Sequence, residues 1–444
     1  MLPRLPLALA FAGLLAFTAC KSSPDQGTIE PVWVTDPFTV TPAVTTVALD
    51  GISADGGVTS LVKAQPISQT AATSIDMGDF DESDVYAVRF TGFGADGGTL
   101  VQGETLPIEL GALASTTLSV FVERTGTLAQ MPSPLADGRN APLVGILGGE
   151  YIFEAGGTDS ATSTTTNLYD LVAYAPLESP PTFTAAPLSM ALSDLQVLVI
   201  ATVSGTTSGT WLDTTTGDTT AASAPSGAGW DDVAGGLTVL ANNGTEYIVG
   251  ATRPTGPATA AVLVVSTSQQ LTWAFLNTPR SGAAAGWAPT LSELVVAGGS
   301  ANGAGVEVLG EAAAVATSLS AYPSDPTIGG GIDALDSAHM LYVAGSAARV
   351  INLSTACDAP CTENAWDAGL PTPLTFAQVF DIDSTSAFVV GETDGGGSLA
   401  YRVSPSLVQP IPFAVPRSHA RAVRLPMGQV AVVGGSTWVE SFTP

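Results

Sequence analysis

The sequence is poor in basic residues, histidine and cysteine. Its 444 residues include 13 Lys and Arg against 40 Asp and Glu, which gives a formal net charge of −27. A nucleic-acid partner needs a basic surface opposite its phosphates, so this balance argues against nucleic-acid binding. With 2 histidines and 3 cysteines, few residues remain for a metal site or a histidine-dependent nucleophile, and we expect no metal and no cofactor.

Long apolar runs and helical patterns are also missing from most of the chain. Beyond Cys20 no apolar stretch reaches the length that a membrane-spanning helix needs. Short apolar runs, bounded by Gly, Asn, Asp and Ser, take the place of helical stripes, and the chain contains 48 Gly and 31 Pro. This pattern predicts an all-β protein.

The N-terminus reads as a targeting signal. Arg4 precedes an apolar run over residues 5–17, which is too short to cross a bilayer, and small residues lead to Cys20. The stretch Phe17-Thr18-Ala19-Cys20 resembles the lipobox of bacterial lipoprotein precursors. An ordinary secretory signal with an incidental cysteine is the alternative.

The lipobox resemblance implies an anchor and an address. It implies a signal peptide over 1–19, acyl chains on Cys20 and a lipidated tether over 20–39, since several acyl chains together anchor stably. Lys21 in the second mature position implies the outer membrane, on its periplasmic side or at the cell surface. The other two cysteines, Cys357 and Cys361, are predicted to form a small-loop disulfide, with a metal site as the alternative.

A repeat fills the C-terminal two thirds of the chain. Apolar runs end at or beside glycines that follow one another at intervals of 43 to 49 residues. These glycines are Gly156, Gly205, Gly250, Gly298, Gly345, Gly391 and Gly434. Each interval holds further short strand candidates, and a period in the forties with several strands per unit is typical of a β-propeller.

Arginines keep the phase of the repeat. Arg139, Arg280 and Arg417 precede their glycines by 17 or 18 residues, and a second glycine follows each of these three. With the tryptophans Trp273 and Trp366, this pattern resembles the kelch family. The resemblance implies a seven-bladed kelch-like propeller, of the type found as the central domain of galactose oxidase, over 126–444. It also implies that residues 127–134 supply the fourth strand of the last blade.

The segment before the repeat has a different character. Residues 40–125 carry alternating or apolar strand candidates between Gly-rich turn clusters. Spaced strands over this length suit a small β-sandwich, which we expect to be Ig-like. The acidic run over 76–84 could supply oxygen ligands for calcium, but it lacks the spacing of a calcium loop, so a solvated acidic loop is preferred.

The candidate ligand-binding residues are basic. Arg139, Arg280 and Arg417, with His419 and Arg421 beside the last of them, could bind an anionic ligand such as a uronate-containing glycan at one face of the ring. The alternative for the three arginines is structural, with each guanidinium paired to a carboxylate of an adjacent blade. Catalysis by His339 or His419 is not expected, because no serine elbow accompanies either of them.

The sequence therefore predicts a lipid-anchored, non-catalytic envelope propeller that binds a protein or a glycan through a ring face. Two alternatives stay open. One is a glycan-active enzyme that uses carboxylates at the propeller mouth, and the other is a scaffold for outer-membrane protein assembly.

Overall fold

The computed structural model describes residues 27–66, 74–77, 86–107, 117–158, 164–299, 305–319, 322, 324–354, 364–366 and 369–444. Almost all regular structure in these ranges is β-strand, as predicted, and two short 3₁₀ helices cover Trp230–Asp232 and Gly250–Thr252. No helix long and apolar enough to traverse a bilayer occurs within them. Cys20, Cys357 and Cys361, and all of the acidic run except Asp76, lie outside the described residues.

The N-terminal unit contains two sheets. The three-stranded sheet, in the order β4-β1-β7, consists of β1 (Thr28–Val32), β4 (Ile75–Asp76) and β7 (Thr117–Phe121). The five-stranded sheet, in the order β3-β2-β5-β6-β8, consists of β2 (Thr46–Ile52), β3 (Val58–Pro66), β5 (Ala87–Phe93), β6 (Thr99–Glu104) and β8 (Glu123–Arg124).

One apolar core joins these two sheets. Ile29 and Val120 from the first sheet pack with Leu49 and Phe90 from the second, and all four are fully buried. Burial of such side chains contributes about 1.5–3 kcal/mol each. Because β1 pairs in parallel with β7, part of the segment predicted as a tether over 20–39 belongs to this unit. This strand was not predicted, because it is only five residues long and contains Pro31.

Within the residues that the structure describes, seven four-stranded antiparallel sheets follow this unit, and in six of them the strands pair in chain order. Sheet 1 contains β10 (Leu143–Leu147), β11 (Tyr151–Ala155), β12 (Thr166–Asp170) and β13 (Ala175–Pro176). Sheet 2 contains β14 (Pro187–Ser193), β15 (Gln196–Val203), β16 (Thr206–Asp213) and β17 (Thr219–Ala222). Sheet 3 contains β18 (Leu237–Leu240), β19 (Glu246–Val249), β20 (Thr259–Val265) and β21 (Leu271–Arg280).

The remaining sheets repeat the same plan. Sheet 4 contains β22 (Ala284–Ala288), β23 (Glu293–Ala297), β24 (Val306–Gly310) and β25 (Thr317–Leu319). Sheet 5 contains β26 (Gly331–Ala334), β27 (His339–Ala344), β28 (Ala347–Asn352) and β29 (Asn364–Ala365). Sheet 6 contains β30 (Thr375–Asp383), β31 (Ser386–Glu392), β32 (Ser398–Val403) and β33 (Val408–Ile411). Sheet 7 contains β34 (Arg421–Arg424), β35 (Val430–Val433), β36 (Trp438–Phe442) and, from before sheet 1, β9 (Leu128–Pro134).

The predicted apolar runs are the second strands of these sheets. In β23, for example, Leu294, Val295 and Val296 are all fully buried. Leu294 and Val296 pack with Val249 and Val262 of sheet 3, while Val295 packs with Ile332 of sheet 5. A strand covered by neighbouring sheets on both faces reads as a continuous apolar run, which confirms the prediction from periodicity.

The seven sheets follow one another around a closed circuit. The first strands of consecutive sheets contact each other, and β34 of sheet 7 contacts β10 of sheet 1. At this closure the Ala141 amide donates to the His419 carbonyl at 2.9 Å. The fourth strand of sheet 7 is β9, with Leu128 opposite Phe442, so the predicted role of residues 127–134 is confirmed.

The direction of the first strands defines two faces of this circuit. We call the side on which the first strands begin the start face, and the side on which they end the end face. The N-terminal unit contacts sheets 7 and 1 on the end face, where Tyr174 Oη accepts from the Phe121 amide at 2.9 Å. The Glu123 carboxylate also lies there and accepts from the Ser441 hydroxyl at 2.8 Å.

Candidate functional site

Three arginines occupy equivalent positions on the start face. Arg139 and Arg417 lie on the connections into sheets 1 and 7, and Arg280 is the last residue of β21, directly before the connection into sheet 4. Each of the three side chains has 0% exposure. Each guanidinium donates to the carbonyl of the glycine that follows the second strand of its sheet. These bonds reach Gly156 at 3.4 Å, Gly298 at 3.0 Å and Gly434 at 3.0 Å. An arginine that lies 17 or 18 residues before the glycine therefore places its guanidinium within hydrogen-bonding distance of the glycine carbonyl at the end of the second strand.

Each of these arginines also has a buried carboxylate partner. Glu154, Glu307 and Glu440 lie 3.7, 2.5 and 3.1 Å from the guanidinium nitrogens of Arg139, Arg280 and Arg417. All three carboxylates belong to the sheet that each connection enters. Burial raises the pKa of Glu154 to about 7, against the opposing effects of Asn167 and Arg139. Buried ion pairs of this kind fix a connection in one geometry.

The geometry favours the structural alternative for Arg139, Arg280 and Arg417. Their guanidinium groups have no surface to offer a glycan, and their donors are directed to protein oxygens. The glutamate partners were not predicted, because a lone Glu in an apolar strand has no distinct sequence pattern. A Glu inside a buried strand of the same repeat, 15 to 27 residues after a phased arginine, is the signal that could have found them.

The other two predicted residues form a partly exposed cluster on the same face. His419 Nδ1 lies 2.7 Å from Glu392 Oε2, and Arg421 Nη1 donates to Glu392 Oε1 at 2.5 Å. The Arg421 guanidinium also lies over the Phe376 ring, 5.3 Å from its centroid. The His419 side chain is 39% exposed and that of Arg421 14%.

The carboxylate of Glu392 sets the hydrogen-bonding capacity of His419. In the neutral imidazole, the contact with an acceptor carboxylate places the proton on Nδ1 and leaves the lone pair on Nε2. An imidazole held in this way can accept a hydrogen bond from a hydroxyl or amide of a ligand. We therefore regard Glu392, His419 and Arg421, together called the start-face cluster, as the candidate ligand site.

A second polar cluster lies at the opposite ends of the first strands. Arg424 Nη2 lies 3.4 Å from Asp333 Oδ2 and also donates to Asp381 Oδ1. Burial raises the pKa of Asp333 to about 6, although Arg424 acts against this effect. All charged residues of the seven first strands belong to sheets 5, 6 and 7. This cluster was not predicted from the sequence, although its members lie one repeat apart.

The two histidines do not converge. His339 begins β27 on the end face, where its Nδ1 lies 2.9 Å from Asp336 Oδ1, while His419 lies on the start face. Tyr342, which follows His339 in the sequence, is buried at 2% exposure. Across the described ranges no three of His, Cys, Asp and Glu are grouped as a metal site would require.

The burial of Glu246 is expected to make the stability of the protein depend on pH. This side chain is 6% exposed, and burial raises its pKa to about 8, while a hydrogen bond from the Leu192 amide opposes the shift. A carboxyl whose pKa is raised by folding stabilises fully below the pKa of the unfolded chain and loses that contribution as pH rises to about 8. We expect Glu246→Gln to stabilise the protein by about 1–3 kcal/mol at alkaline pH and to change nothing near pH 4.

Denaturant unfolding of both proteins at a series of pH values checks this expectation. A difference in unfolding free energy that stays constant with pH would contradict it, because only the ionised form of Glu246 is destabilised. Asp218→Asn, at an exposed turn, is the matched control and should leave the pH profile unchanged.

Comparison with known proteins does not assign the chain to a family. No family model matches the chain, and no curated protein does. A streptogramin B lyase structure is similar over 71% of this chain and 96% of its own, at 12% identity and a TM-score of 0.47. A mitotic checkpoint complex structure is similar over 72% and 95%, at 11% identity and a TM-score of 0.47. The RRP9 WD40 repeats are similar over 71% and 99%, at 13% identity and a TM-score of 0.43. At these scores the likenesses carry no conclusion about the function of this chain.

Proposed function

We propose that this protein is a lipid-anchored binding module of the bacterial envelope. In this proposal the seven sheets are the blades of a kelch-like propeller, and the N-terminal unit is an Ig-like sandwich. Cys20 carries the lipid at the outer membrane, on its periplasmic side or at the cell surface. The ring binds a protein or glycan partner through one of its faces and performs no catalysis.

The observation that carries this proposal is the closure of the circuit by β9 and by the Ala141–His419 hydrogen bond. A closed ring of such sheets leaves only short outer edges and two faces built from turns. Such faces are rigid, and a rigid surface loses little entropy on binding a partner. The start-face cluster adds an oriented imidazole to one of them.

A glycan-active enzyme is the second candidate. It is favoured by Asp333 and Asp381, two carboxylates on neighbouring first strands, of which one has a raised pKa. Paired carboxylates with separated pKa values are the groups that glycoside hydrolysis uses. Both also contact Arg424, which favours a structural role. Release of reducing ends from a glycan library would establish the enzyme, and saturable binding without release supports the binding module.

Membrane fractionation of Cys20→Ala tests the anchor. We expect the wild-type chain in the outer-membrane fraction and the variant in the soluble fraction, because the acyl chains supply the attachment. The variant should keep the wild-type circular dichroism spectrum and unfolding midpoint. A folded Cys20→Ala chain that stays with the membrane would contradict the lipid anchor.

A further inference from the structure

Exposed aliphatic side chains lie on the end face of sheets 2, 3 and 4. Leu195 is 37% exposed, Leu240 59%, Leu291 39% and Val315 56%. We call these four residues the end-face apolar patch. Each lies in a turn of its sheet or at the end of the strand that leads into one.

Hydrogen bonds connect neighbouring sheets at this face. The Ser193 hydroxyl of sheet 2 donates to the Thr267 carbonyl of sheet 3 at 3.3 Å. The Asn243 side chain of sheet 3 in turn donates to Glu311 of sheet 4. These bonds connect the turns that carry the patch from one sheet to the next.

The charge around this patch has a single sign. The six end-face turns of sheets 2, 3 and 4 contain Asp194, Asp218 and Glu311, and their sequences contain no Lys, Arg or His. These turns cover residues 194–195, 214–218, 241–245, 266–270, 289–292 and 311–316. The chain as a whole carries a formal charge of −27.

The negative charge of these turns indicates which class of molecule binds the patch. A contiguous apolar patch rimmed by polar residues marks a protein or membrane contact. Anionic lipid headgroups would be repelled by these turns, and so would the same acidic face of a second copy. A cationic polypeptide with apolar side chains would be attracted by the acids and would cover the leucines.

We infer that the end-face apolar patch docks a basic, amphipathic segment of a partner protein. This inference rests on the proposed role as a binding module and names the face and the class of partner. Leucines at helical spacing on such a segment would cover Leu240 and Leu291, while its lysines or arginines would face Asp194 and Glu311.

A model peptide tests the inference on the purified Cys20→Ala chain. The probe is a fluorescent peptide of about 18 residues with Leu and Lys at amphipathic helical spacing, and its binding is measured by anisotropy at about 0.15 M salt. We expect saturable binding that weakens at least about tenfold in the pair Leu240→Ser and Leu291→Ser, because apolar contact area is lost. The pair Leu188→Ser and Leu237→Ser is the matched control, since these leucines are 41% and 43% exposed but lie on the start face.

Several outcomes would overturn the inference. Equal binding to all variants would show attraction to net charge alone, and equal loss in both leucine pairs would remove the assignment to the end face. A Leu and Glu peptide of the same spacing that binds as tightly would remove the charge argument. Binding to a glycan array that is lost with the end-face pair would reassign the patch to glycans. None of these results depends on the fractionation of Cys20→Ala, so a failure here is distinct from a failure of the anchor.

Discussion

Replacement of Arg280 by methionine is expected to destabilise the ring by about 3–5 kcal/mol. Both Arg280 and Glu307 have side-chain exposure of 0%, and their closest charged atoms lie 2.5 Å apart. The substitution leaves the Glu307 carboxylate buried with hydrogen bonds from the Asn277 and Thr278 amides but without its positive partner. An unpaired buried charge costs more than the pair itself contributes.

A double substitution separates the charge from the packing. Arg280→Met combined with Glu307→Leu removes both charges, and we expect it to be more stable than Arg280→Met alone. Arg402→Met is the surface control, because Arg402 is 43% exposed and lies 3.9 Å from Asp383. Its cost should stay below about 1 kcal/mol.

Denaturant unfolding in the Cys20→Ala background measures these differences. A loss for Arg280→Met no larger than that for Arg402→Met would show that the guanidinium is not held in a buried pair. The three phased arginines would then return to the list of candidate ligand contacts, because a mobile guanidinium could reach solvent.

The repeat could be predicted from the sequence because burial on both faces leaves a simple pattern. A second strand such as β23 needs apolar side chains in every position, so the run is visible without knowledge of its neighbours. The closing strand β9 could be placed because its segment resembles the fourth strand of a repeat and the last repeat lacks one. Both predictions depend on local composition.

The pairing of polar groups could not be predicted in the same way. The Glu392 carboxylate of sheet 6 contacts His419 and Arg421 at the start of sheet 7. The Asp333 carboxylate of sheet 5 contacts Arg424, which lies two sheets further along the chain. A single glutamate in β31 has the same local pattern whether it meets solvent or an imidazole, because its partner is set by the angle between sheets. The position of a polar residue within the repeat limits its possible partners to a few positions in neighbouring repeats. It does not determine which of these positions the partner occupies.

The largest single effect is expected at the closing strand. Met131 of β9 has 0% exposure and packs with Tyr169 of sheet 1 and Val439 of sheet 7. Met131→Asp places a carboxylate without a counterion between the first and last sheets and removes a buried apolar side chain. We expect the free energy of unfolding to fall by about 3–5 kcal/mol or more. We also expect the variant to expose more apolar surface to solvent than the wild-type protein does. Chemical unfolding and binding of an apolar dye measure these two quantities.

Two controls at the same strand make this prediction specific to closure. Met131→Leu conserves volume and should cost less than about 1.5 kcal/mol. Ser133→Asp introduces the same charge into β9 at a half-buried position and should cost less than Met131→Asp. If Met131→Asp unfolds at the wild-type denaturant concentration, then β9 does not lie between sheets 1 and 7. The circuit would then be open at the edge of β36, and the rigid faces on which the proposed partner binding depends would be lost.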